Sequence, residues 1–130
     1  MSVLDASAVL AFLGNEPGAE RVAAALSQTC RISAVNWAEV LARRPNPRQS
    51  PDDSSLIQLV SGDDPLLRVV PFDEAHARET ARIKTVTTGV PLSLADRACL
   101  ALGVLDGLPV LTTDRVWRSL RLKVKVVVVR

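Results

Sequence analysis

Ser2-Val3-Leu4-Asp5-Ala6-Ser7-Ala8-Val9-Leu10-Ala11-Phe12-Leu13 opens the chain with a short apolar run that ends in an acid and passes at once into helical spacing. Val9, Leu10, Phe12 and Leu13 recur as one face of a helix requires, and Gly14-Asn15 with Pro17 stop it. A strand leading straight into a helix is the first half of a βαβ unit, and the rest of the chain repeats the theme. Helical spacing from Gly18 to Leu26 leads to a short strand at Arg31-Ile32-Ser33, after which Ser33 can cap a helix from Ala34 to about Arg43. Three prolines and three arginines between Arg43 and Pro51 predict an exposed break. Beyond it the pattern predicts a short helix over Ser54–Val60, a strand over Leu67–Phe72, and a helix over Glu74–Thr85 with Ala77, Ala81 and Ile83 inward. A helix from Ser93 to Val104, a turn at Gly107-Leu108-Pro109, a strand over Val110–Thr112 and a last strand over Val124–Val129 complete the chain. The consecutive valines of that tail predict a strand buried on both faces.

Strands alternating with helices imply parallel pairing and a sheet covered on both sides. The expected fold is therefore α/β: a single domain over 1–130, a three-layer α/β/α sandwich with a central, mostly parallel sheet. Ligands of such sheets bind beyond the carboxyl ends of the strands, where Asp5 and Asp114 fall.

At 130 residues the chain can bury roughly two thirds of the surface its unfolded form exposes, without a disulfide or structural metal. Cys30 and Cys99 lie far apart without CxxC spacing and read as small buried hydrophobes. His76 is the only histidine, which argues against a His-rich zinc site and a Ser-His-Asp triad; carboxylates would have to carry any chemistry. Only Met1 and Ser2 precede the first apolar run, and no apolar stretch approaches the roughly 18 residues of a membrane span, so a soluble, cytoplasmic protein is expected. The net charge of +2 hides an asymmetry: with four of the 14 acids committed to one site, 16 basic residues face the other 10 acids. Such a remainder attracts a polyanion if bound cations neutralise the acidic cleft, although a solvated, mildly basic surface explains it too.

The four acids are Asp5, Glu39, Asp96 and Asp114. Each has an ordinary explanation. Asp5 follows a strand as a helix N-cap does, Ser93 with Asp96 is a capping pair, and Asp114 would suit the positive start of a helix. Glu39 lies a turn and a half into its helix, roughly opposite Trp37, Val40 and Leu41 and flanked by Val35 and Ala42, so it is either solvated or lines a cleft. Taken jointly, gathered carboxylates repel one another unless a divalent cation compensates, and oxygen ligands with few histidines select Mg²⁺ or Mn²⁺. Such ions activate water and stabilise in-line displacement at a phosphodiester. Ser7 and Thr113 offer hydroxyls beside the acids, and Arg97 and Arg115, each directly after an acid, are candidates for gripping a scissile phosphate.

Four ordered blocks make the chain resemble a PIN-domain ribonuclease, and more closely a VapC-type toxin of a bacterial toxin-antitoxin pair. They are Val3-Leu4-Asp5-Ala6-Ser7-Ala8, Ile32-Ser33-Ala34-Val35-Asn36-Trp37-Ala38-Glu39-Val40, Leu92-Ser93-Leu94-Ala95-Asp96-Arg97-Ala98-Cys99-Leu100-Ala101-Leu102 and Val110-Leu111-Thr112-Thr113-Asp114-Arg115-Val116-Trp117. The resemblance implies metal-binding and catalytic roles for Asp5, Glu39, Asp96 and Asp114, with Ser7 and Thr113 as support. It also implies dependence on Mg²⁺ or Mn²⁺, endonucleolytic cleavage of RNA, a homodimer, and inhibition by a cognate antitoxin. The match is weakest between Arg43 and Asp64.

Other readings keep the fold and change the role. A catalytically inactive protein- or RNA-binding module is one; with only Phe12, Trp37, Phe72 and Trp117 as aromatics, of which Trp117 alone lies outside an apolar pattern, it lacks a base-stacking platform. Phosphomonoester hydrolysis of the haloacid-dehalogenase kind also places an Asp after the first strand. It normally wants a second acid two residues on, where this chain has Ser7.

Overall fold

The structure, a computed structural model, describes residues 1–44 and 54–130. The sheet has five strands: β1 (Ser2–Leu4), β2 (Cys30–Ser33), β3 (Leu67–Val70), β4 (Val110–Thr112) and β5 (Val126–Val128). They run in the order β3-β2-β1-β4-β5, and every neighbouring pair is parallel. The helices are α1 (Ala6–Leu13), α2 (Ala19–Leu26), α3 (Ala34–Arg43), α4 (Ser54–Val60), α5 (Glu74–Val86) and α6 (Leu94–Asp106), with a 3₁₀ turn at Arg115–Ser119.

Because side chains alternate along a strand, each central strand feeds two cores. Leu4 and Leu111 point to a cluster with Ile32 of β2, Leu67 of β3, and Val9, Val22, Leu26, Val40 and Leu56 from α1 to α4. Val3 and Val110 point to the opposite cluster with Ile83, Cys99, Leu100, Leu102 and Trp117, contributed by α5, α6 and the 3₁₀ turn. The three layers follow from that alternation. Gly103 lets α6 lie close on the sheet: a Cβ there would stand 2.4 Å from a methyl of Val110 and 3.0 Å from one of Val124.

The direction of the winding places the site. From β1 the chain steps through β2 to β3 with α1 to α4 on one face, then returns across the sheet by α5 and α6 to β4 on the other side of β1. Parallel crossovers keep one hand, so reversing direction moves the helices to the other face and opens a crevice beyond the carboxyl ends of β1 and β4.

Three expectations are corrected in detail. The valine tail is the edge strand of the sheet, with Val126 and Val127 only half-buried. On α5 the buried positions are His76, Thr80 and Ile83, whereas Ala77 and Ala81 are exposed. Trp117, the aromatic outside the apolar patterns, is 1% exposed and part of the second core. The proline-rich break lies, from residue 45 onward, outside the described residues; α3 ends at Arg43. No helix among the described residues is long and apolar enough to cross a membrane.

Candidate active site

Leu4 and Leu111 are direct neighbours in the parallel register of β1 and β4, so the residues that follow them, Asp5 and Thr112, emerge side by side at the crevice. Asp5 is 5% exposed and N-caps α1 through the Ala8 amide, which donates to Oδ1 at 2.8 Å. The Ser7 hydroxyl donates to the same oxygen at 2.7 Å, and the Thr112 hydroxyl donates to Oδ2 at 2.5 Å. Thr112 Oγ1 in turn accepts from the Asp114 amide at 3.1 Å, and Ser7 Oγ accepts from the Thr113 amide at 3.0 Å. A short net of hydroxyls and amides thus welds the ends of two strands around one buried carboxyl group. Burial dominates its titration: desolvation raises the pKa of Asp5 from 3.8 to about 6, against the hydrogen bonds from Thr112, Ser7 and Ala8, and the charge of Asp96 adds to the rise.

The other acids arrive from helix ends and a helix face. Ser93 and Asp96 form a reciprocal capping box at the start of α6: the Asp96 amide donates to Ser93 Oγ at 3.1 Å and the Ser93 amide to Asp96 Oδ2 at 2.9 Å. Asp114 caps the 3₁₀ turn, its Oδ1 accepting from the Val116 amide at 3.0 Å. Glu39 is half-buried and makes no hydrogen bond or ion pair among the described residues. All four acids line one cleft of about 170 Å³, together with Ala6, Ser7, Asn36 and Arg43. The charges of Asp5, Asp96 and Glu39 also reach the buried Cys99 thiol, whose pKa desolvation already pushes well up.

Capping and clustering are therefore compatible. Asp96 and Asp114 each spend one carboxylate oxygen on a helix start and leave the other to the cleft, whereas Asp5 is hydrogen-bonded at both oxygens and offers their remaining lone pairs. Among the described residues no group of three or more His, Cys, Asp or Glu side chains is set to hold a metal ion by itself.

The supporting groups are partly other than the sequence suggested. Thr113 contributes through its backbone, while Thr112 supplies the hydroxyl to Asp5. Arg97 lines a separate groove with Phe72, Ala77, Thr80, Ala81, Lys84 and Leu94, and Arg115 is exposed outside the acidic cleft. The arginine at the acids is Arg43. With Ser7 it also lines an adjoining cavity of about 280 Å³, shared with Leu10, Gly14, Glu16, Thr113 and Arg130. Asn36, Glu39 and Arg43 stand at i, i+3 and i+7 on α3, one stripe of a helix, so the cleft-facing flanks of Glu39 are Asn36 and Arg43 rather than Val35 and Ala42.

The sequence profile of the PIN domain matches residues 2–122. No curated protein matches the sequence. Among solved structures the fold is similar to a toxin-antitoxin complex from Klebsiella pneumoniae, with TM-score 0.70 and 17% identity over 100% of this chain and 98% of that one. FitAcB from Neisseria gonorrhoeae is similar with TM-score 0.68 and 26% identity over 97% of this chain and 96% of that one. VapC20 from Mycobacterium tuberculosis, a sarcin-ricin loop cleaving toxin, is similar with TM-score 0.65 and 12% identity over 95% and 98%.

Proposed function

The chain belongs to the PIN domain family, and from that membership we propose that it is a divalent-metal-dependent endoribonuclease, the toxin of a type II toxin-antitoxin pair. One observation carries the reading: Asp5, Glu39, Asp96 and Asp114, from four separate segments, line a single cleft at the switch point of the sheet.

The donor set fits Mg²⁺ or Mn²⁺. All four ligand candidates are carboxylates, Asp5 is held dry with its charge disfavoured, and the buried Oδ1 of Asn36 has no partner. Mg²⁺ keeps several waters and takes only one or two carboxylates beside substrate phosphate, so a closed cage of three acids is not required. Asp5, Asp96, Asp114 and Glu39 would hold the ion, some of them only through its waters, and the bound ion would supply an activated water and offset the charge of an in-line displacement at phosphorus.

The chain's own residues do the rest. Thr112, Ser7 and the Ala8 amide fix both oxygens of Asp5, so the carboxylate cannot swing away when its environment changes. Arg43, exposed at the seam of the two cavities and without a hydrogen bond or ion pair among the described residues, is placed to grip a phosphate of the strand. Arg130 lines the adjoining cavity on the far side from the acids, paired with Glu16 at 3.2 Å. An extended, charged RNA strand suits two adjoining polar cavities better than a small phosphomonoester does. The same reading makes the protein cytoplasmic and gives it a cognate antitoxin that covers the cleft and a second copy of the chain as partners.

A catalytically inactive PIN-fold binding module is the second reading, favoured by the lack of a ready set of three metal-holding acids among the described residues. Incubating the purified chain with RNA and Mn²⁺ separates the two. Cleavage that disappears in Asp5→Asn and Asp96→Asn supports the nuclease. A chain that binds RNA or antitoxin yet neither cleaves RNA nor gains thermal stability from Mn²⁺ is the binding module.

A further inference from the structure

Asn36 is 1% exposed, and its Nδ2 donates at 2.9 Å to the carbonyl of Ala95, the residue before Asp96. A carbonyl only accepts, so the amide nitrogen is the atom that faces Ala95 and the oxygen is turned elsewhere. That oxygen, Oδ1, is buried and has no hydrogen-bond partner. Leaving a buried acceptor without a donor is costly, and folded proteins rarely tolerate it without a use.

The surroundings explain why the protein supplies no donor. Asn36 lines the cleft with Asp5, Glu39, Asp96 and Asp114, which only accept when ionised. Of the donors there, the Ser7 hydroxyl is committed to Asp5, and Arg43 is exposed to solvent. What the site lacks is a small donor brought in from outside. A water bound to a divalent cation is such a donor, its O–H polarised by the ion.

We infer that Asn36 is a positioning residue for the bound cation: Oδ1 accepts from a water of the ion, while Nδ2 ties α3 to the acid-bearing start of α6. One side chain thereby couples the Glu39 wall to Asp96. The inference rests on the reading of the acids as a metal site, and goes beyond it by assigning a non-ligand to the ion's hydration shell.

Titrating the metal-free protein with Mn²⁺ alone, followed by calorimetry or by the electron paramagnetic resonance of free Mn²⁺, tests it. Asn36→Leu removes donor and acceptor, whereas Asn36→Asp keeps an oxygen at the Oδ1 position and loses the donor to Ala95. Both should lower metal-free thermal stability through the lost tie, Asn36→Asp the more, because it adds a buried carboxylate beside four acids. Asn36→Leu should weaken Mn²⁺ binding about 10-fold, the usual scale for outer partners of a metal site, and Asn36→Asp should bind at least as tightly as the parent. If Asn36→Leu does not fold, Asn36→Ser replaces it with the same expectation for Mn²⁺. Parent-like affinity in the Leu or Ser variant overturns the inference and leaves Asn36 a structural tie, its oxygen met by an ordinary trapped water. A parent protein that binds no Mn²⁺ overturns the metal reading of the cleft, and the role of Asn36 with it.

Discussion

The two walls of the cleft are built on opposite principles. On the strand wall, Asp5, Ser7, Thr112 and the amides of Ala8, Thr113 and Asp114 satisfy one another in a closed net. On the helix wall, Glu39 makes no hydrogen bond or ion pair among the described residues, and Asn36 is satisfied on one side only. The strand wall is a finished structure that happens to contain a charge, while the helix wall is an open set of acceptors. A site that closes on a cation needs both: a rigid reference carboxylate, and partners whose oxygens are still free to meet the ion.

Asp5→Asn should have the largest effect on the strand wall. It preserves the shape of the net, since an amide oxygen can still accept from Ser7 and Ala8 and the Thr112 hydroxyl can turn. It removes the charge. RNA cleavage should fall about 10³-fold or more, the scale of losing a group that acts on the transition state. Thermal stability of the metal-free variant at neutral pH should be unchanged or higher, because a buried charge is gone. A large loss of stability would mean that the net depends on the charge itself.

The pH dependence of metal-free stability reports on the same buried carboxyl group. The pKa of Asp5 is raised from 3.8 to about 6, so between those values the folded state keeps a proton that the unfolded state has lost. The contribution of this group is therefore fully present below the lower value and declines as pH rises through the upper one. The loss amounts to about 3 kcal/mol at one pKa unit per 1.36 kcal/mol. Denaturant melts across that range should show it in the parent and not in Asp5→Asn. Saturating Mn²⁺ should recover stability above pH 6 and do little at pH 4, where the carboxyl group holds its proton.

Thr112→Val tests the net without touching a charge. The valine fills the same space, but it leaves Asp5 Oδ2 and the Asp114 amide without the partner they share. A loss of about 2 kcal/mol is expected at neutral pH, and the Thr112 hydrogen bond is the strongest influence lowering the Asp5 pKa, so that pKa should climb further. Chemical-shift titration of the Asp5 carboxyl carbon would read it; an unmoved pKa would show that Thr112 does not hold the carboxylate in solution.

How much of this was legible follows from where the signals sit. Caps are local, so Asp5, Ser33 and the Ser93/Asp96 pair could be read from spacing, and strand-then-helix order placed Asp5 and Asp114 at strand ends. Thr112 was harder: its partner Asp5 is 107 residues away, and only the β1–β4 register puts them side by side. Asn36 and Arg43 share the stripe of Glu39 and were available to helical arithmetic, but Val35 and Ala42 look more like a face in the sequence. On α5, Ala77 and Ala81 suggested an inward side, yet alanine is too small to fix the phase of a helix. Ile83 fixes it instead and carries His76 and Thr80 inward. Of the arginines adjacent to acids in sequence, Arg97 leaves the acidic cleft because neighbouring residues of α6 diverge by 100°, and Arg115 lies outside it as the first residue of the 3₁₀ turn that Asp114 caps.

Ser93→Ala gives the smallest of these effects and bears on the helix wall. Removing the cap hydroxyl leaves the Asp96 amide without its partner and should cost about 1 kcal/mol, near the middle of the range for caps. The Asp96 carboxylate still accepts from the Ser93 backbone amide, which alanine retains, so the acid stays at the start of α6. Cleavage and Mn²⁺ affinity should then change less than threefold, although stability drops. If metal binding collapses with the cap, the capping box is what aims Asp96, and the helix wall is as tightly built as the strand wall.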